Sequence, residues 1–177
     1  EVICGPMFSG KSEELIRRLR RAQYAKQTVL TFKSILDDRH TIEYVVSHDG
    51  SRLNAQPVAE LEKLRNASLQ HDVDVIGIDE VQFFSNDIIP LLCELMEAGK
   101  RVIVAGLDRD FRGLPFGPMP ILLSIADKIT KLQAICCECG TDATMTQRLV
   151  NNQIDVVANQ IIAILVRRIL FGEHPLK

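Results

Sequence analysis

The eight residues Gly5-Pro6-Met7-Phe8-Ser9-Gly10-Lys11-Ser12 restrict the fold more than any other stretch of the chain. They fit G-x-x-x-x-G-K-[ST] without a gap. The apolar residues 2–4 precede them, and a stretch of helical periodicity, residues 12–26, follows. A strand feeding a glycine-rich turn that opens a helix is the context in which such a turn curls its amides inward. Those N–H groups and the helix N-terminus then face a polyphosphate. Lys11 reaches the β and γ phosphates, and the Ser12 hydroxyl is offered to Mg²⁺.

The run Val75-Ile76-Gly77-Ile78-Asp79-Glu80 fits the partner of that motif, an apolar strand ending in a carboxylate. Asp79 stands where it holds the Mg²⁺ water shell. Glu80 follows at the edge where the phosphates lie and is placed to take a proton from an attacking hydroxyl or water. Its bland alternative is a solvated acid at a strand end. Asp79-Glu80-Val81-Gln82 also resembles the D-E-x-x box of helicases. A helicase motor needs two such domains and an arginine from the second, and 177 residues supply one domain. The competing reading is a small kinase that moves a γ-phosphoryl group to a small molecule.

Apolar β-type runs alternate with helical stretches through the chain, which predicts an α/β fold with a mostly parallel sheet flanked by helices. Strands are expected at residues 28–32, 73–78, 101–107 and 131–135, and helices at 58–68, 86–98 and 120–126. Ser85 is a candidate cap for the helix that stops at Gly99, with Pro90 near its first turn. Residues 34–56 read as a loop or hairpin, and 154–157 and 161–166 carry β propensity. In the first helix Leu15, Ile16, Leu19 and Ala22 share a face. Arg17, Arg18, Arg20 and Arg21 lie off it and read as a solvated face rather than a nucleic-acid surface.

Composition closes off other classes. With 46% hydrophobic and 25% charged residues the chain builds an ordinary core. A formal charge of −2 gives no positive field for a nucleic-acid partner. No apolar run approaches the roughly 20 residues of a membrane helix. Five cysteines, at 4, 93, 136, 137 and 139, do not resemble a secreted disulfide framework. With no signal segment ahead of Glu1, the expectation is a cytoplasmic protein trimmed at its N-terminus. Cys136-x-x-Cys139 has zinc-knuckle spacing but supplies two ligands of four, so a metal pair and a thiol-bearing turn both stay open. Cys137 and His174 have no supporting spacing. Phe111 and Phe116 lie in glycine-containing loops beyond a buried strand, where aromatics either wall a base pocket or pack the loop.

Taken together these motifs resemble the thymidine kinase family of the cellular type. The resemblance covers roughly residues 1–150 and rests on residues 5–12, Asp37-Asp38-Arg39, Ser47-His48-Asp49, residues 78–84, residues 106–117, Cys136-x-x-Cys139 and Thr146-Gln147-Arg148-Leu149. It implies a P-loop, RecA-like core over residues 1–134 and a small zinc-ribbon-like lasso domain over residues 135–177. It implies transfer from ATP, with Mg²⁺, to the 5′-hydroxyl of thymidine or deoxyuridine in nucleotide salvage for DNA synthesis.

By the same resemblance Glu80 is the catalytic base. Gly5, Pro6, Met7, Phe8, Ser9, Gly10, Lys11 and Ser12 contact ATP, with Asp79, Glu80, Val81 and Gln82, and Asp37, Asp38 and Arg39 lie near the phosphates. Met7, Leu107, Phe111, Phe116 and Thr146 line the nucleoside pocket, and the main chain of a strand carrying Val156, Val157 and Ala158 grips the base. Homotetramers, feedback inhibition by dTTP and a structural Zn²⁺ are implied as well. The tail departs from the pattern: Arg167 and Leu170 stand where a second cysteine pair is expected, and Ala163 where a tyrosine is expected. Only the Cys136 and Cys139 half of the zinc set is therefore in place. The alternative function is a P-loop nucleotide-binding or ATPase module that has lost nucleoside kinase activity.

Overall fold

The apolar run Val-Ile-Gly-Ile-Asp becomes a fully buried strand at the centre of a parallel sheet, β6 (Val75–Asp79). In the computed structural model, residues 1–34, 44–46, 52–70, 72–137, 139–150, 153–154 and 164–167 are described. Asp37, Asp38, Arg39, the Ser47-His48-Asp49 motif, Val156, Val157, Ala158 and His174 lie outside the described residues.

The elements are β1 (Val2–Cys4), α1 (Lys11–Tyr24), β2 (Val29–Ser34), β3 (Tyr44–Val46), β4 (Arg52–Asn54), β5 (Gln56–Val58) and α2 (Leu61–Ser68), followed by β6 and a 3₁₀ turn at Val81–Phe83. Then come α3 (Ile88–Glu97), β7 (Arg101–Gly106), α4 (Met119–Ile125), β8 (Ile129–Lys131), β9 (Ala134–Ile135), β10 (Asp142–Ala143), β11 (Met145–Val150), β12 (Gln153–Ile154) and β13 (Ile164–Arg167). Six strands form one sheet in the order β5-β2-β6-β7-β1-β8, every pairing parallel. β7 lies between β1 and β6, so the glycine-rich turn and Asp79 emerge two strands apart on the same carboxyl edge. This is the mostly parallel P-loop sheet that the sequence predicts. A ligand of such a sheet sits outside the carboxyl ends of its strands.

Both faces are covered, as a parallel sheet requires. Phe32, Ile76, Ile78, Val102 and Val104 pack with Leu64 of α2, Leu91, Leu92 and Leu95 of α3 and Met119 and Leu122 of α4. On the other face Ile3, Val75, Ile103 and Ala105 meet Leu15, Leu19 and Ala22 of α1. Ile16 of α1 packs with Val45 and Ala55, seating the antiparallel β3–β4 hairpin on that face. The alternation of side-chain direction along each strand divides one apolar run between two cores.

Four expectations need correction. Arg18 is not on a solvated face: it is 6% exposed and donates to Glu14, Glu1 and Thr130. Val58 ends the edge strand β5 and the helix begins at Leu61; Pro57 fits there because an edge strand tolerates a missing N–H. Ser85 does not cap a backbone amide, since its hydroxyl bonds Asp87 Oδ2 at 2.9 Å and α3 starts at Ile88. The strand expected at 131–135 is divided: β8 completes the large sheet, while β9 pairs with β10.

Beyond β8 the strands leave the six-stranded sheet. β11 lies between β12 and β13, antiparallel to both, with Met145 opposite Arg167. No helix among the described residues is long and apolar enough to cross a membrane.

Candidate active site

The turn between β1 and α1 is held by its own atoms. Lys11 Nζ donates to the Pro6 carbonyl at 2.7 Å, and Ser9 Oγ donates to the same oxygen at 2.8 Å. Gly5 has φ 147°, and a Cβ there would stand 2.4 Å from the Leu132 carbonyl oxygen, so a glycine is required where the turn passes β8. Gly10 supplies no side chain to cap α1. Acceptors from a ligand therefore suit the first amides of this helix. Lys11 is 8% exposed, so its ammonium is held close to the loop it serves.

The carboxyl end of β6 meets the start of α1. Ser12 Oγ donates to Asp79 Oδ2 at 3.0 Å, and the Glu80 N–H donates to Asp79 Oδ1 at 3.0 Å. Burial raises the Asp79 carboxyl to about 7; the Glu80 carboxylate beside it adds to the rise, against the opposing pull of Ser12, the Glu80 amide and Lys11. A hydroxyl and a carboxylate at hydrogen-bond distance form a hard-oxygen donor pair, which fits Mg²⁺. The charge of a cation also answers the cost of burying that carboxylate.

Glu80 has φ 53° and ψ 41°, a left-handed conformation. It turns the chain from β6 into the 3₁₀ turn. Its Oε2 accepts from Gln82 Nε2 at 2.5 Å, and Gln82 Oε1 accepts the Leu107 N–H at 3.0 Å. The side chain of Val81 lies in the core, and the Gln82 amide bonds Glu80 at one end and the Leu107 N–H at the other.

The loop after β7 forms the next wall. Leu107 is buried at its start. Asp110 shapes the turn, its Oδ1 accepting the main-chain N–H groups of Arg112 and Leu114. Phe116 meets Phe83 edge to face, with ring centroids 5.6 Å apart. Phe111 carries the Arg112 guanidinium 5.6 Å from its ring centroid. The start of β11 and the residue before it meet both loops: the Met7 N–H donates to Thr146 Oγ1 at 3.0 Å, and Arg109 Nη2 donates to the Thr144 carbonyl at 3.2 Å. Of the residues that the resemblance groups in one pocket, Met7 meets Thr146, while Phe111 and Phe116 lie in the loop that Leu107 begins.

The cysteine knuckle is a tight turn between β9 and β10. Cys136 N–H donates to the Thr141 carbonyl at 2.8 Å, the Gly140 N–H to the Cys136 carbonyl at 2.8 Å, and Cys139 Sγ lies 3.1 Å from Thr141 Oγ1. Cys136 is buried and Cys139 exposed. Among the described residues no group of three or more His, Cys, Asp or Glu is gathered for a metal. A structural zinc takes four ligands, so the described residues do not fit one.

The family model described as "Thymidine kinase" matches residues 1–164. The chain belongs to the thymidine kinase family. Solved structures resemble it more distantly. AMPPCP-bound DnaA from Aquifex aeolicus is 18% identical with a TM-score of 0.46, over 75% of this chain and 39% of that one. Domain III of the replication initiation protein DnaA from Thermotoga maritima is 18% identical with a TM-score of 0.45, over 74% of this chain and 53% of that one. The chain thus spans about two-fifths to half the length of those structures.

Sequence reasoning overlooked what the Gln82 side chain holds and the burial of Asp108. Asp108 is 7% exposed and pairs with Lys131 at 2.8 Å. For this thymidine kinase family member the only available signal was position: an acid directly after a buried strand that ends at the ligand edge.

Proposed function

We propose that this chain is an ATP-dependent thymidine kinase that phosphorylates the 5′-hydroxyl of thymidine, and of deoxyuridine, within nucleotide salvage. The observation that carries the reading is the tie from Glu80 through Gln82 to Leu107, which joins a carboxylate at the end of β6 to the start of the loop that holds Phe111 and Phe116. Membership of the thymidine kinase family supports it. In this reading the turn amides and Lys11 hold the phosphates, and Glu80 orients the hydroxyl and takes its proton. Met7, Leu107, Phe111, Phe116 and Thr146 orient the nucleoside and exclude water. Ser12 and Asp79 hold Mg²⁺, which supplies neutralising charge to the β and γ oxygens.

The roles of Asp37, Asp38 and Arg39 at the phosphates, and of Val156, Val157 and Ala158 at the base, rest on the family resemblance. So do the division into a core of residues 1–134 and a lasso of 135–177, the cytoplasmic location, a homotetramer and inhibition by dTTP. A second reading, a nucleotide-binding module without nucleoside transfer, is favoured by one feature: Arg167 and Leu170 stand where the family's second cysteine pair is expected.

The deciding measurement is nucleotide product and phosphate release, with and without thymidine, for the parent and Glu80→Gln. Glutamine keeps the shape but cannot take a proton, so kcat should fall by roughly 10²–10⁴-fold. ATP affinity should stay near the parent's, since Lys11 and the turn amides are untouched. Thymidine-independent hydrolysis by the parent, or an unchanged kcat in Glu80→Gln, would sink the assignment.

A further inference from the structure

Gln82 is 2% exposed and sits in the 3₁₀ turn that follows β6. A buried primary amide must satisfy both its ends. The main-chain N–H of Leu107 meets Gln82 Oε1. A backbone N–H can only donate, so the oxygen end of the amide has to face it, and the nitrogen end is thereby turned to Glu80 Oε2. A flipped amide would set donor against donor and oxygen against carboxylate, so the orientation follows from chemistry. Space for it comes from Gly106, where a Cβ would stand 2.6 Å from Gln82 Oε1 and 2.9 Å from Val81 Cγ1. Glu80 holds a left-handed conformation that a non-glycine residue keeps only when its surroundings impose it.

We propose that Gln82 is a positioning residue for Glu80: its amide pins the carboxylate to the Leu107 end of the loop that walls the nucleoside site. The acid and the wall then keep one spacing, and the charge-assisted bond fixes the rotation of the carboxylate. The proposal rests on the reading of Glu80 as the base. It differs from the nucleotide contact that the family resemblance implies for residue 82, because the side chain acts through Glu80 rather than on a phosphate.

The test compares Gln82→Met, Gln82→Glu, Glu80→Gln and the double variant Glu80→Gln/Gln82→Met with the parent, using thymidine, ATP and Mg²⁺. Methionine matches glutamine in length and offers neither amide group. Glutamate keeps an acceptor for the Leu107 N–H but, ionised, has no donor for Glu80. Both single Gln82 variants should lose about 10- to 100-fold in kcat, with KM for ATP within about two-fold of the parent. The double variant should fall no further than Glu80→Gln alone, because the loss is routed through Glu80. Parental kcat in folded Gln82→Met, or a double variant showing the product of the two single losses, overturns the proposal. A crystal structure of Gln82→Met gives a readout independent of activity: the Glu80 carboxylate should leave its parental position, and an unmoved carboxylate overturns the proposal. If the parent turns over no thymidine, or Glu80→Gln matches it, the base assignment fails by itself, and the crystal structure still decides the positioning.

Discussion

Lys11 carries a positive charge that the fold holds almost out of water, its Nζ donating to the Pro6 carbonyl. A hydrogen bond from an ammonium to a charged phosphate oxygen is stronger than one to a neutral carbonyl, so an arriving polyphosphate gains from this lysine. Lys11→Ala should therefore abolish kinase turnover and weaken ATP binding in calorimetry, while the thermal midpoint without nucleotide changes little. Parental turnover in that variant would contradict the phosphate-binding role. Lys11 and Ser12, on one strand–turn–helix unit, and Asp79 and Glu80, at the end of a buried strand, each belong to a local pattern that a sequence displays. The work of the Gln82 side chain was not, because its partner Leu107 lies 25 residues away and the contact exists only after β6 and β7 pair. Arg18 was misjudged for a similar reason. Periodicity sorts a helix by residue type, and an arginine joined to Glu1 and Thr130 across two strands reads like any surface arginine.

Among the elements, α1, β6 and β7 were readable from apolar pattern alone, whereas β5 and β8 were not. Both are short edge strands, one holding Pro57 and the other exposing Ile129, so neither shows a buried run. α1 also carries a charge network with a pH signature. Glu14 accepts from Arg17 Nε at 2.6 Å and from Arg18 Nε at 2.7 Å. The Arg17 hydrogen bonds, against the opposing effect of burial and with help from Arg18, lower the Glu14 carboxyl to about 2 from its ordinary 4.5. A depressed carboxylate stabilises the fold fully above its unfolded value and loses that stabilisation as pH falls through the folded one. The contribution should thus fade between pH 4.5 and about 2. Arg17 is half exposed, so solvent screens much of its share. Glu14→Gln should flatten that part of the acid-denaturation curve, read by circular dichroism, and leave the curve above pH 6 parallel to the parent's. Arg18→Met removes hydrogen bonds to charged partners and should cost about 2 kcal/mol at neutral pH in urea titrations. A parental midpoint would show that the network adds nothing.

At the scale of the molecule, the start of β11 returns to the glycine-rich turn. The Met7 N–H and Thr146 Oγ1 join residues 139 apart, and the Arg109 side chain reaches the Thr144 carbonyl beside them. No local pattern at Met145 or Thr146 announces which amide the strand meets. This contact makes the turn's shape depend on the docking of β11. Thr146→Val keeps the branched outline that a nucleoside would touch and removes only the acceptor. It takes away the acceptor that the Met7 N–H meets, a loss of about 1 kcal/mol. If docking holds the turn, Thr146→Val should raise KM for both thymidine and ATP, although the family resemblance implies a contact with the nucleoside alone. Proteolytic cleavage after residue 135 should quicken too, while Thr146→Ser, which restores the hydroxyl, stays close to the parent in all three measures. A variant whose thymidine KM rises while ATP KM and proteolysis stay parental would confine Thr146 to lining the pocket and remove the coupling between β11 and the turn.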